Sequence, residues 1–357
     1  MLSALKRLVT RPTPKQEPIG GTLVNAYATV RDLPPLPFAH AFHNGRGLDD
    51  PELATHLHGF KGYVRGATGG RMTADVFHLL GHISRVRRQA SFTVPDASLD
   101  ALAHWAAQAN AILFLPDGSV RDPQGRVLVS RGVPPVDPEA SLPYPAEAWA
   151  RKERSQAQLA ARGLRTLDSL PPVVSESEVL VRSPGDVLGR AGALMVAAVR
   201  AESLHIGEPM SADELRAALP WAFAHLSPRE QAFLGQDAPD PTTIVQFAWR
   251  YEGVHVLEWA LGLIDELPFP STHCDAGAVS ATLRTRPAHA PRLRATPELL
   301  DALDLTLRLH WVTRQAQVDG RLPVDGVDAG VVHERHYALN WLLQVQSADW
   351  DDVDTPT

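Results

Sequence analysis

The sequence predicts an α+β protein in which a small α+β domain is followed by an all-α helical domain. Strand and turn patterns occupy the first third of the chain and nearly vanish beyond it, where apolar residues recur at helical spacing. A proline-rich stretch separates the two patterns. The length of 357 residues is more than one hydrophobic core usually serves, which also favours two domains.

Proline and glycine place the domain boundaries. Both residue types are frequent near the N-terminus, where they oppose helix and strand, and five prolines lie close together after Gly132. The predicted segments are a flexible tail at 1–20, a small α+β domain at 21–131, a proline-rich linker at 132–146 and an all-helical domain at 147–357.

Local patterns define the elements of each domain in chain order. Branched and aromatic residues from Thr22 to Val30 predict a strand. Helical spacing then predicts helices at 51–63, 73–88 and 99–110, and short apolar runs between turn residues predict strands at 111–115, 119–121 and 126–129. In the second domain the expected helices are 146–163, 185–203, 211–226, 242–263, 297–318 and 330–346.

The charge and cysteine content restrict the function classes. The chain carries 34 basic and 41 acidic side chains and no basic stripe with interleaved aromatics, so we expect no nucleic-acid partner. Cys274 is the only cysteine, which excludes an intrachain disulfide and favours the reducing cytoplasm. The apolar run at the N-terminus is too short for a signal peptide, and no apolar stretch of about 18 residues indicates a membrane span.

Charged and tryptophan residues recur through the second half of the chain in a pattern that resembles a known family. The matching positions are Arg182, Ser183, Arg190, Ala191, Leu194, 249–252, Leu257, 259–262, Asp304, Leu305, Trp311, 330–332, 334–336, 338–341 and 350–353. From about Arg151 to the C-terminus, the chain resembles the bacterial family known as domain of unknown function 4272. The resemblance implies a fold-level relationship and no particular activity, because the family is uncharacterised.

The predicted helix at 242–263 is apolar on most sides, and this places Glu252 in a buried environment. A buried carboxylate either raises its pKa or takes a cationic partner. The candidate partners are Arg190, Arg308 and Arg335. We expect an ion-pair network that fixes helix register; the alternative is a carboxylate poised as an acid, a base or a metal ligand.

In the last predicted helix, Glu334 and Arg335 are expected to clasp the helix that carries Glu252. His336 and Asn340 share another stripe and could hydrogen-bond a polar ligand; the alternative is a pair that faces solvent or caps a helix. His333 and His336 are three residues apart, whereas a zinc-protease helix needs a spacing of four, so zinc hydrolysis is not expected.

Other motifs are incomplete. One Glu-x-x-His match begins at Glu252, but no second copy exists to build a di-metal centre. His273, Cys274 and Asp275 lie in a loop without a catalytic-cysteine signature, and Trp350 is expected to dock the acidic chain end on the bundle. We therefore predict neither a metal nor a cofactor.

The favoured function is that of a non-catalytic binding or interaction protein of the bacterial cytoplasm, with a small polar ligand or a protein partner. The alternative is an enzyme whose polar site lies in the helical domain around Glu252, Glu334, Arg335, His336 and Asn340. The candidate binding residues are Glu252, Arg308, Glu334, Arg335, His336 and Asn340.

Overall fold

The computed structural model describes residues 20–284, 292–321, 323–345 and 347–357. The chain divides into two compact units, 1–145 and 146–357. A sheet with flanking helices forms the first unit and helices form the second, so the α+β prediction is confirmed. The predicted tail at 1–20 lies, except for Gly20, outside the described residues. Within the described ranges, none of the helices combines the length and apolar composition needed to cross a membrane.

The first unit is built on an antiparallel sheet with strand order β2-β3-β1-β4-β5-β6. Its elements are β1 (Thr22–Ala28), β2 (Ala41–Arg46), α1 (Glu52–Ala67), α2 (Ala74–Ser84), β3 (Arg88–Val94), α3 (Leu99–Gln108), β4 (Ala111–Phe114), β5 (Val120–Arg121) and β6 (Val127–Val129).

Alternation along β1 gives the sheet two buried faces. Val24 and Ala26 belong to a core that includes Trp105 of α3. Tyr27 points to the opposite core, where its ring stacks on Phe60 of α1 with the ring centroids 4.2 Å apart. Because successive side chains of a strand point to opposite faces, the sheet lies between α3 on one side and α1 and α2 on the other.

The structure corrects the prediction for the segment at 73–88. The helix ends at Ser84, and Arg88 begins β3, a strand the pattern did not predict. Ala90 and Phe92 of β3 pack into the α3 side of the sheet, while Ser91 lies between them on the other face. The edge strand β2 was also missed.

The second unit is a helical bundle. Its elements are α4 (Ala146–Ala160), α5 (Pro184–His205), α6 (Ala212–Ala218), a 3₁₀ helix (Pro220–His225), α7 (Pro228–Leu234), α8 (Pro241–Ala248), α9 (Arg250–Ala260), α10 (Ala276–Leu283), α11 (Thr296–Val318), α12 (Ala329–Leu342) and a 3₁₀ turn (Trp350–Asp352). Helix α9 packs against both α5 and α12, and α12 packs in turn against α11. Most of the apolar core therefore surrounds α9.

Two predicted helices of this unit are each interrupted. The segment at 242–263 divides into α8 and α9 at Trp249, and the segment at 211–226 ends as an α-helix at Ala218, before Pro220. A proline in the next turn removes a backbone donor and clashes with the preceding turn, which explains the second break. Helices α7 and α10 were not predicted.

The break at Trp249 brings its indole against the start of α12. Asp328 caps α12 by accepting hydrogen bonds from the backbone N–H groups of Gly330 and Val331, at 2.9 and 3.0 Å. A Cβ at Gly330 would lie 2.5 Å from Cη2 of Trp249. Glycine is therefore required at this position by the close approach of the ring.

Replacing this glycine should destabilise the bundle. We expect Gly330→Ala to lower the free energy of unfolding by about 1–3 kcal/mol, because the new methyl group overpacks a rigid indole. Urea unfolding monitored by circular dichroism measures the change. Gly185→Ala, in the first turn of α5, is the matched control: its Cβ would meet only Ser183 Oγ, at 3.8 Å. Equal urea midpoints for the two variants would contradict the prediction.

Candidate functional site

Two ion pairs connect α9 with α12, and they run in opposite senses. Nε of Arg335 lies 3.7 Å from Oε2 of Glu252, and Nη1 of Arg250 lies 3.0 Å from Oε2 of Glu334. Each helix thus contributes one positive and one negative side chain. We call these four residues the clasp. Its arrangement agrees with the expectation that Glu334 and Arg335 join the last helix to the helix of Glu252.

Burial and pairing act against each other in the clasp. Desolvation lowers the pKa of Arg335, and the charge of Glu252 opposes that change. Desolvation likewise raises the pKa of Glu334, and Arg250 opposes it. A buried charge without its partner costs several kcal/mol, so each member of the clasp depends on the opposite helix.

The loop before α10 closes over Glu252, whose side chain is only about 2% exposed. Its Oε1 accepts the backbone N–H of Cys274 at 2.5 Å, and Arg335 donates to the carbonyl of Pro268. Burial, together with the neighbouring Glu252, raises the pKa of the Cys274 thiol. A thiol that stays protonated is a poor nucleophile. Asp275, the next residue, caps α10.

Arg308 lies apart from the clasp. It is fully buried and makes a two-pronged contact with Asp304 of the same helix, at 2.7 and 2.8 Å. It also donates a hydrogen bond to the carbonyl of Pro171. The sequence had offered Arg308 as a partner for Glu252, and the structure corrects this.

His336 faces another histidine inside the bundle. Nδ1 of His336 lies 2.8 Å from Nδ1 of His310, and the ring of His333 stands edge-on to His310 with the centroids 5.4 Å apart. Burial lowers the pKa of His336 to about 3 and that of His310 to about 4. Both rings are therefore neutral near pH 7, and one Nδ1–H donates to the other Nδ1.

Asn340 is also buried, and its Nδ2 donates to the carbonyl of Asp354 at 2.9 Å. Neither His336 nor Asn340 faces solvent, because α11 and the chain end cover this side of α12. The alternative of a solvent-facing pair is therefore wrong. Within the ranges that the structure describes, no group of three or more His, Cys, Asp or Glu side chains is placed to hold a metal ion.

Glu258 of α9 is a second buried carboxyl group, and it is completely inaccessible. Neither of its oxygens has a hydrogen-bond partner among the described residues. Burial raises the pKa of Glu258 to about 8, so the side chain is mostly protonated at neutral pH. This matches the general rule that a carboxyl group without a cationic partner becomes neutral when it is buried.

A surface cleft of about 300 Å³ lies where the N-terminal half of α5, the end of α12 and the chain end meet. Two arginines of its wall are held on indole faces. The guanidinium of Arg182 lies 4.4 Å from the ring centroid of Trp341, and that of Arg190 lies 5.2 Å from that of Trp350. We call this feature the C-terminal cleft.

Further bonds fix the two arginines. Arg182 donates through Nε and Nη2 to the carbonyls of Trp341 and Ala348, at 2.9 and 2.6 Å. Arg190 is only 4% exposed and donates through Nη2 to Glu230 of α7. Among the described residues, Nη1 of either arginine makes no hydrogen bond. Each guanidinium therefore keeps donor capacity.

Aspartates form the other part of the cleft wall. Asp351 accepts the backbone N–H of Arg229 at 2.9 Å, and Asp186 accepts the hydroxyl of Ser183 at 2.6 Å. The side chains of Asp349 and Asp352 are exposed and form neither a hydrogen bond nor a salt bridge within the described part of the chain, although the charge of Asp349 acts on Arg182. The cleft thus presents fixed guanidinium donors beside carboxylates, two of which are exposed and form no salt bridge among the described residues.

The predicted site residues do not line this cleft. The clasp, the histidine pair, Arg308 and Asn340 belong to the interior of the helical unit. Sequence reasoning missed the cleft, although Arg182, Arg190, Trp341 and Trp350 were among the positions that carry the family resemblance. The sequence signal that could have indicated the cleft was this recurrence of arginine and tryptophan. Sequence spacing alone does not show that these residues meet in the folded protein.

Breaking the clasp should cost much of the stability of the helical unit. We expect Arg335→Met to lower the free energy of unfolding by about 3–5 kcal/mol, because Glu252 would remain buried without its cation. Urea titration measures the loss. Arg314→Met, an exposed arginine of α11, is the control and should change stability by less than about 0.5 kcal/mol. A loss below 1 kcal/mol for Arg335→Met would show that the clasp is dispensable.

The histidine pair should make the protein sensitive to acid. The pKa of each histidine in the folded state lies below its ordinary value of 6.5, so the unfolded chain binds protons first. The stability from this pair is complete above pH 6.5 and is lost as the pH falls toward about 4. His336→Asn should reduce the drop in urea midpoint between pH 7.5 and pH 4.5. His205→Asn, at an exposed site, is the control, and an equal drop in wild type and both variants would refute this origin.

Comparison with known proteins places the second unit in a family. The chain matches no curated protein and no solved structure. One family profile, described as a domain of unknown function (DUF4272), matches residues 151–353, which is more than half of the chain. The resemblance inferred from the sequence is thereby confirmed, and the chain belongs to the DUF4272 family.

Proposed function

We propose that the protein is a non-catalytic binding protein of the cytoplasm and that its ligand occupies the C-terminal cleft. One observation carries the proposal: separate stretches on which the family resemblance rests meet at this cleft. Arg182 lies just before α5, and Arg190 lies in its N-terminal half. Trp341 comes from the end of α12, and Trp350 and Asp352 come from the chain end. A binding site shared by a family would join distant positions in this way.

The construction of the cleft supports binding. Its volume of about 300 Å³ is at the lower end of the range for small-molecule sites. Indole rings hold both guanidiniums before a ligand arrives, together with backbone carbonyls at Arg182 and the Glu230 carboxylate at Arg190. Such preorganisation lowers the entropy that binding would otherwise cost. A small polar molecule or a polar segment of a partner fits this description.

The enzyme alternative has less support. Its residues would be Glu252, Glu334, Arg335, His336 and Asn340. These side chains are largely buried, and each is bonded to another part of the protein. A catalytic acid or base must reach the proton that it moves, directly or through one water. The cytoplasmic assignment rests on the single cysteine, which leaves no intrachain disulfide to need an oxidising compartment.

A thermal-shift screen tests the proposal. The library contains amino acids, short peptides, nucleotides, sugars and organic acids, and each compound is added to wild type and to Asp349→Arg, which should obstruct the cleft. At 100 times its Kd a true ligand should raise the wild-type Tm by about 5–10 °C. It should not shift Asp349→Arg.

Glu208→Arg is the matched control, because Glu208 is an exposed acid outside the cleft lining. It should keep the full shift. The proposal fails if no compound stabilises wild type, or if the shift survives in Asp349→Arg.

A further inference from the structure

The charges of the C-terminal cleft define the chemistry of its ligand, and this inference rests on the proposed function. We infer that the cleft binds a small zwitterion that carries an ammonium group and a carboxylate, of the kind found in free α-amino acids and short peptides. The ammonium group lies against Asp349 and Asp352. The carboxylate accepts hydrogen bonds from Nη1 of Arg182 and Arg190.

The arginines provide the first argument. Arg190 is almost wholly buried and its charge is paired with Glu230, yet it lines the cleft, and neither its Nε nor its Nη1 makes a hydrogen bond within the described residues. Arg182 is only partly buried, and its Nη1 also makes no hydrogen bond there. Buried guanidinium groups normally satisfy their donors. Two neighbouring donors with positive charge suit a carboxylate, whose two oxygens can accept both.

The aspartates provide the second argument, because they exclude a simple anion. Two carboxylates, Asp349 and Asp352, are exposed and form no salt bridge in the described part of the chain, and Asp351 and Asp186 add further negative charge. Asp349 and Asp186 act on Arg182, but these four carboxylates outnumber the guanidinium groups of the lining. Two like charges 4 Å apart repel by about 1 kcal/mol in bulk water and by about 4 kcal/mol near a protein surface. An anion bound at the arginines therefore needs its own positive charge to face these aspartates.

A simple cation fits less well for the reciprocal reason. It would be attracted by Asp349 and Asp352, but it would lie close to two fixed guanidinium groups and leave their Nη1 donors unused. A zwitterion satisfies both walls of the cleft at once. Opposite charges on a single ligand are thus the combination that the lining selects.

The tryptophans limit the remainder of the ligand. Trp341 and Trp350 each have a guanidinium group over one ring face, and Trp350 also contacts the rings of Tyr337 and Trp341. These contacts occupy ring surface that would otherwise attract an apolar body. The cleft therefore favours a compact polar ligand over a large aromatic one.

Isothermal titration calorimetry with defined probes tests the inference. The probes are free L-amino acids, their N-acetyl derivatives, their amides, and dipeptides. We expect at least one free amino acid or dipeptide to bind. The N-acetyl derivative, which lacks the cation, and the amide, which lacks the anion, should each bind at least tenfold more weakly. Tighter binding of the dipeptide identifies a peptide as the source of the zwitterion, and tighter binding of the amino acid identifies the free metabolite.

Variants separate the two ends of the ligand. Asp349→Asn combined with Asp352→Asn should weaken binding of the zwitterion at least tenfold. The affinity for the N-acetyl derivative should stay the same or rise, because the repulsion between its carboxylate and the two aspartates is removed. Arg182→Gln should reduce the affinity for the amide less than it reduces the affinity for the zwitterion. Glu208→Gln should change none of these affinities. Circular dichroism verifies that each variant is folded.

The outcomes also distinguish this inference from the proposed function. If a compound with one charge, or with none, binds in a manner that depends on Asp349, the inference is wrong and the proposed function stands. The inference is also wrong if the zwitterion binds equally well to the doubly substituted variant. If no compound depends on the cleft, both are wrong.

Discussion

Charge buried between α9 and α12 must be matched, and this requirement fixes how the bundle is assembled. Arg250 and Glu252 lie on α9, with Glu334 and Arg335 facing them from α12. Exchanging the partners would place two carboxylates together and two guanidiniums together, and the interior could not stabilise either pair. The two helices therefore pair in one register, which also brings Trp249 against Gly330 at the start of α12.

The register extends to the cleft. Trp341 lies about two turns beyond the clasp on the same helix, and the hydroxyl of Tyr337, between them, donates to the carbonyl of Trp350. The guanidinium of Arg250 lies 5.9 Å from the ring centroid of Trp350 as well. The clasp thus orients both the helix end and the chain end that form the cleft wall. The interior charges therefore influence the proposed binding site by positioning its wall, without lining the cleft themselves.

The sequence predicted what depends on local periodicity and on buried charge. Helices α5, α11 and α12 have long apolar patterns, and a carboxylate as buried as Glu252 requires a cation such as Arg335. The break at Trp249 could not be predicted, because no proline or glycine marks it. Strand β3 mixes Gln89, Ser91 and other polar residues into a buried strand, so its pattern is weak. The cleft is formed by segments far apart in sequence, and no residue spacing predicts that these segments lie together in the fold.

Glu258 gives folding a proton requirement. In the unfolded chain this carboxyl group is ionised at neutral pH, whereas in the folded bundle its pKa is raised to about 8 and it holds a proton. Folding at pH 7 therefore takes up close to one proton from the buffer at this side chain, and its equilibrium shifts toward the unfolded state as the pH rises through 8. The neutral histidine pair acts in the other direction below pH 6.5. The contributions of these interior groups to stability thus fall on opposite sides of neutrality, that of Glu258 at alkaline pH and that of the histidine pair at acidic pH.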